Sequence, residues 1–232
     1  MKNIKSFLVA RVIAIGNYFY KNFKYKTNNN YVKVNLGCGL QCLPNWINID
    51  GSLTALFGSK SFSFFNKMLY KLAGSSDYYT FNAYNKVVQK NVLKFYNLQK
   101  GVPLLDTSVD VIYCSHFLEH LSKDDGKYFM RECFCSLKNG GLLRMVVPDL
   151  DFAMEMYQRG DVEKMLDLFY YTSSEWDFAA HKYNYNFTYL KNILENIGFT
   201  NIKKMNYKEG DCPDIDYLDV YPEHSLYVEC KK

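Results

Sequence analysis

Apolar and polar positions along the chain follow two rhythms. Val32 to Leu36 alternates and is β-branched, which predicts a strand, and a second apolar run ends in the carboxylate of Asp50. Val92 to Tyr96, Val109 to Cys114, Leu142 to Val147, Thr200 to Tyr207 and Ser225 to Cys230 predict further strands. Helical spacing shows between them. Apolar residues at 129, 130, 133, 134 and 137 share one helix face behind Ser122-Lys123-Asp124-Asp125, a capping-box sequence, and this helix is expected to stop at Lys138-Asn139-Gly140-Gly141. Asp151 to Gln158, Val162 to Tyr171 and Phe187 to Ile197, the last closed by Gly198, predict three more helices. Strands alternating with helices imply an α/β domain with a largely parallel sheet covered on both faces.

Two stretches stand outside this alternation. Gly51 to Asn91 reads as an aromatic-rich insertion with helices over 62–72 and 84–90, parted by Gly74-Ser75-Ser76. At the start of the chain, Phe7 to Gly16 is apolar apart from Arg11, about half the length that spans a bilayer. Lys2, Lys5, Arg11, Lys21, Lys24 and Lys26 surround it, and apolar residues at 4, 7, 8, 12 and 15 keep helical spacing. Two readings fit this basic amphipathic helix: it lies on an anionic membrane surface through residues 1–26, or it covers an edge of the domain. No convincing cleavage site marks a secretory signal peptide. Thr27-Asn28-Asn29-Asn30 is a polar break, so residues 1–30 form an N-terminal segment and 31–232 the domain that carries the 51–91 insertion.

Composition narrows the class. With 48% apolar and 22% charged residues the chain is ordinarily globular, and its net charge of +4 falls short of a nucleic-acid footprint, so no nucleic-acid partner is expected. The seven cysteines form no C-x-x-C pair, and an odd number argues against a closed disulfide framework, which favours a reducing cytoplasm. Cys38-x3-Cys42 and Cys133-x-Cys135 lack zinc-site spacing and read as buried small hydrophobes.

Candidate chemistry concentrates after the first strand. Gly37-Cys38-Gly39 allows positive φ and a close backbone approach to a ligand, and Asp50 can accept two hydrogen bonds from the vicinal hydroxyls of a ribose. A dinucleotide is disfavoured, because G-x-G-x-x-G is absent and Pro44 interrupts the segment where its long helix would begin.

In order and spacing, VNLGCG, NWINID, DTSVDVIYCSHFLEHL, LKNGGLLRMVVPDL, HKYNY, IGF and SLYVEC resemble class I methyltransferases that use S-adenosylmethionine (SAM), in particular a bacterial branch found among envelope and polysaccharide biosynthesis genes. The resemblance runs from Tyr31 to Lys232. It implies a Rossmann-like fold: a seven-stranded, mostly parallel sheet with a C-terminal reversed hairpin, helices on both faces, and SAM at the carboxyl ends of the first strands. It assigns Gly37, Gly39 and the backbone of Cys38 to the methionine part, Asp50 to the ribose, and Asn97 with Leu98 to the adenine, Asn97 standing where relatives usually have Asp. Asn35 likewise replaces an acid common before the loop. Ser115 and His116 are expected beside the adenine or the methyl.

Methyl transfer is an in-line displacement, so the protein must align donor and acceptor and supply a base where the acceptor carries a proton. His116 leads as that base, followed by Asp149, which could instead cap a helix, and His181. His116-x-x-Glu119-His120 would also put metal ligands on one helix face with His181 completing a site, as in small-RNA 2′-O-methyltransferases; because Leu118 to Leu121 resembles a structural segment of metal-free methyltransferases, no metal is expected. The resulting expectation is methyl transfer from SAM to oxygen or nitrogen of a polar acceptor, such as a sugar of a surface glycan, by a cytoplasmic protein peripheral to the inner membrane face. The alternative is a non-catalytic SAM-binding scaffold in a membrane-associated glycan complex. Acceptor and oligomeric state stay open.

Overall fold

The computed structural model describes residues 2–27, 30–57, 63–170 and 180–232. Asn28 and Asn29 of the polar break lie outside them, as do Phe62 and Tyr171 at the ends of two expected helices. In chain order the elements are α1 (Lys2–Tyr20), β1 (Lys33–Leu36), β2 (Ile47–Asp50), α2 (Leu53–Phe57), α3 (Ser63–Leu72), α4 (Phe81–Lys90), β3 (Leu93–Phe95) and β4 (Val109–Ser115). They continue with α5 (Lys123–Ser136), β5 (Leu137–Pro148), α6 (Leu150–Gln158), α7 (Val162–Phe169), α8 (Phe187–Ile197), β6 (Thr200–Met205), α9 (Ile215–Leu218) and β7 (Ser225–Lys231).

The sheet has seven strands in the order β3-β2-β1-β4-β5-β7-β6, the Rossmann-like arrangement expected. β1 pairs in parallel with β2 and β4, and its step outward to β2 on one side and β4 on the other opens a crevice at the carboxyl ends. The reversal at the far edge is confined to β7. It runs antiparallel to both β5 and β6, so β6 keeps the direction of the first five strands.

The period-2 pattern of the central strands is resolved as two apolar faces. Leu36, Ile112 and Cys114 pack with Phe129, Met130 and Cys133 of α5 and Leu190 and Leu194 of α8. On the other side Val111, Tyr113 and Val146 pack with Trp46, Cys212 and Leu218. Arg144 points into this second layer and is fully buried. Its Nε donates to Asp219 Oδ1 at 3.2 Å and its Nη1 to Glu229 Oε1 at 2.8 Å, which ties the segment before β7 to the sheet. A guanidinium at that depth is tolerable only when paired in this way.

The helix before β5 ends earlier than the sequence pattern predicts. Leu137 is already extended, and β5 runs through Gly140 and Gly141. The cause is non-local: Val109 pairs with Leu137, Gly140 N–H donates to Lys232 O at 2.9 Å, and Lys232 N–H donates to Gly141 O at 3.1 Å. Gly140 adopts φ 78°, which favours glycine.

The basic N-terminal helix packs on the domain. Val9 is buried with Leu53 and Leu69 and with Tyr84 and Val88 of α4, and the Tyr20 ring meets Phe95 edge-on at 5.6 Å. Phe7, Leu8, Ile15 and Phe19 stay exposed on its outer side. Among the described residues no helix is long and apolar enough to cross a membrane.

Candidate functional site

Two cavities open at the carboxyl ends of the central strands, and they share a wall. The first, about 480 Å³, is lined by Gly37, Asp50, Asn97, Leu98 and His116, with Val9, Ile13 and Asn17 of α1 across from them. The second, about 580 Å³, takes in all four histidines of the chain together with Glu119 and Tyr221. His116 and His120 border both.

The glycine loop is shaped from within. Gly37 and Gly39 adopt φ of 67° and 51°. The N–H groups of Gly37 and Cys38 donate to Ile49 O at 2.9 and 3.3 Å, and Gly39 N–H donates to Asp50 Oδ2 at 3.0 Å. These donors are therefore committed inside the protein, and the loop supplies room where a pyrophosphate would need outward N–H groups. Asn35 explains its departure from an acid: its Nδ2 donates to Gln41 O at 2.8 Å, a brace that a carboxylate could not make. The Cys38 side chain is buried, with Sγ 3.9 Å from Cys42 Sγ, and neither Cys38 nor Gly39 lines either cavity.

Asp50 accepts Ser52 N–H at Oδ1 (2.8 Å) and Gly39 N–H at Oδ2 (3.0 Å). One lone pair on each oxygen is left over for a diol facing the cavity. Asn97 caps a 3₁₀ turn at Leu98–Lys100, its Oδ1 accepting Gln99 N–H at 3.1 Å, and the residue still lines the cavity. Asn17 Oδ1, on the opposite wall, is buried and makes no hydrogen bond among the described residues. A polar ligand in this cavity would satisfy it.

In the second cavity the segment expected to be a helix face is a tight corner. His116 adopts φ 49°, and Leu118–His120 forms a single 3₁₀ turn instead of an α-helix. This corner drives Glu119 inward, where it is fully buried. His116 Nδ1 lies 3.2 Å from Glu119 Oε1, while His181 Nε2 and His120 Nε2 lie 3.9 and 4.0 Å from the same oxygen. Burial opposes ionisation of Glu119, yet its contact with His116 and the nearby imidazoles outweigh that effect and hold the carboxyl below its usual range. Burial pushes the His181 imidazole below its ordinary value, with Glu119 opposing. His116 is held further by Ser225 Oγ, 3.1 Å from Nε2, and by the Tyr221 ring at 4.3 Å.

The sequence-derived residues divide accordingly. Gly37, Asp50, Asn97, Leu98 and His116 meet at the first cavity, and His116 and His181 meet at the second. Asp149 is absent from both linings. It caps α6, accepting Asp151 N–H at 3.1 Å, and pairs with Lys204 Nζ at 3.1 Å, so the capping role considered for it is the one observed. Ser115 lines neither cavity, and its hydroxyl is buried. The strand's alternation carries Ser115 away, and the left-handed turn at the next residue brings His116 back. Sequence reasoning missed Val9, Ile13 and Asn17, as well as Tyr221 and His224. These come from segments far along the chain, and no local pattern announces that they converge.

Residues 75–145 match a family model described as a methyltransferase domain. No curated protein matches the chain. Among solved structures, the chain is similar to a SAM-dependent methyltransferase from Archaeoglobus fulgidus, at 16% identity over 97% of this chain and 94% of that one, with a TM-score of 0.48. It is also similar to a SAM-dependent methyltransferase of Thermotoga maritima described as a possible histamine N-methyltransferase, at 14% identity over the whole of both chains and a TM-score of 0.48. A possible exported protein from Bordetella parapertussis shares 13% identity over 96% of this chain and 67% of its own, with a TM-score of 0.50. The matched segment runs from just before α4 into β5 and includes the shared wall of both cavities. With its seven-stranded sheet, the chain thus has the fold of class I methyltransferases and, over residues 75–145, a methyltransferase-domain signature whose cofactor is S-adenosylmethionine.

Proposed function

We propose that this protein transfers a methyl group from SAM, held in the first cavity, to an oxygen or nitrogen of a polar acceptor seated in the second. The observation that carries this reading is the shared wall: His116 and His120 border both cavities, so a donor on one side and an acceptor on the other meet at these side chains. Gly37 gives the methionine part room, Asp50 takes the ribose hydroxyls, and Asn97 and Leu98 flank the adenine. The internally committed loop donors favour this ligand over a pyrophosphate-bearing one. Bound SAM supplies an electrophilic methyl on a sulfonium. The protein's share is alignment, and His116 takes the acceptor's O–H or N–H at Nε2 by exchanging it for the Ser225 hydroxyl, while Glu119 keeps Nδ1.

A surface-glycan sugar as acceptor rests on the resemblance in sequence. Peripheral contact with an anionic membrane through residues 1–26 is supported by the exposed Phe7, Leu8, Ile15 and Phe19 beside basic residues. Calorimetric titration with S-adenosylhomocysteine tests the cofactor site. We expect saturable one-to-one binding, weakened in Asp50→Ala by about 1.5–3 kcal/mol, the range for hydrogen bonds to a charged group. Binding of NAD in its place would overturn the reading. Binding with no methylation of any glycan or lipid-linked acceptor would favour the scaffold.

A further inference from the structure

The second cavity contains an arrangement that methyl transfer by itself does not require. Glu119 has no exposed surface, and neither of its carboxylate oxygens has a hydrogen-bond partner of good geometry among the described residues. Two imidazoles face it in a defined tautomer. His120 Nδ1 lies 3.2 Å from Ala180 O and His181 Nδ1 lies 2.9 Å from Leu168 O. A carbonyl oxygen can only accept, so each Nδ1 carries its proton, and each ring turns Nε2 towards Glu119. The Nε2 to Oε1 separations of 4.0 and 3.9 Å are too long for hydrogen bonds. A buried carboxylate facing two imidazole nitrogens across gaps of this size is stabilised by a cation among them, and the gaps fit a metal ion better than a hydrogen bond.

We propose that Glu119, His120 and His181 bind one divalent first-row transition-metal ion, of the zinc or manganese kind, open to the acceptor cavity. One ligand atom from each lies within 4.8 Å of the others. Metal–ligand bonds of about 2.0–2.2 Å place neighbouring ligands roughly 3–4 Å apart, so a small closure of the cluster completes the set. Imidazole and carboxylate donors suit zinc, iron and manganese, and three protein ligands leave positions for solvent or substrate. The Nδ1–H contacts with Ala180 and Leu168, and His116 Nδ1 at 3.2 Å from the same carboxylate, supply the outer shell that orients metal ligands. If the methyltransferase reading holds, on which only this role rests, the ion's open positions bind the acceptor's oxygen beside the methyl donor.

The test uses the full chain, stripped with a chelator, and titrated with Zn²⁺, Mn²⁺ and Co²⁺ by calorimetry, the cobalt form also by visible absorption. We expect one ion per chain and a ligand-field spectrum from nitrogen and oxygen donors. Glu119→Gln and His120→Ala, each verified as folded by circular dichroism, should weaken binding about 100-fold or more, beyond the roughly 10–100-fold typical of outer-shell changes. His224→Ala, a lining residue outside the cluster, should bind the ion as wild type does. The assignment is overturned by folded wild-type protein that binds none of the three ions saturably, or by binding that both ligand variants leave unchanged. S-adenosylhomocysteine is titrated into the same stripped protein: its failure to bind would count against the methyltransferase reading alone, and its success without ion binding would sink the metal site alone.

Discussion

At Gly37 the backbone takes φ 67°, and an added Cβ would lie 2.7 Å from Cβ and Cγ of Phe117. Gly37→Ala therefore combines left-handed strain, roughly 1–2 kcal/mol, with overpacking of roughly 1–3 kcal/mol. Urea unfolding should show a loss of about 2–5 kcal/mol, with weaker S-adenosylhomocysteine binding; an unchanged midpoint would mean that Phe117 yields without cost. Gly39 has the same sign of φ and nothing within 4 Å of its added Cβ, so only strain would act there. The two glycines look alike in sequence and differ because one packs directly against Phe117, eighty positions further along the chain. The same distinction separates Asp149 from His116. Both follow a strand of the central sheet, but Asp149 is consumed by its own helix start and by Lys204, whereas the turn at His116 faces its ring into the crevice.

At the scale of elements, α1 decides whether the cofactor cavity is a cleft or an open groove. Its basic, amphipathic pattern fits a membrane surface and an edge cover equally well, and the packing of Val9 on α4 shows the second. Val9→Asp puts an unpaired charge into that contact and should lift the helix from the cavity wall. The expected result is at least about tenfold weaker S-adenosylhomocysteine binding, with little change in urea midpoint, because the sheet core lies elsewhere. Unaltered affinity would show that Ile13 and Asn17 close no part of the binding surface. β5 tells a similar story. Its Gly140-Gly141 reads locally as a helix stop, and becomes strand because Lys232, ninety residues away in sequence, supplies the ladder partner.

At the scale of the whole molecule, the tyrosines that pack into the interior set its response to alkali. Burial pushes Tyr25 and Tyr227 from the ordinary phenol value of 10.0 up to about 12, and raises Tyr84, Tyr96, Tyr113 and Tyr185 as well. In the unfolded chain these phenols ionise at their ordinary value, while the folded chain keeps its protons. Unfolding then releases protons between pH 10 and about 12, and stability that is complete below that window falls as pH rises through it. Denaturation followed across this range should lose stability, with a step in tyrosinate absorbance at unfolding as the buried rings enter solvent. A tyrosinate titration that shows no step at unfolding would contradict the burial described.

Much of this was legible in the chain. Element order, the glycine loop, Asp50 at the end of its strand and the helix caps at Ser122 and Gly198 all follow from local patterns, because each is settled by neighbours a few residues apart. The sequence by itself therefore determined a parallel α/β sheet with a nucleotide-type ligand at its carboxyl edge. Tertiary structure alone decided that α1 walls the cofactor cavity, that the C-terminal reversal is confined to β7, that Asp149 and Ser115 leave the site, and that Glu119 is sealed among histidines from separate loops. These outcomes depend on contacts between distant segments and on burial, which turns an ordinary carboxylate into one that demands a cation.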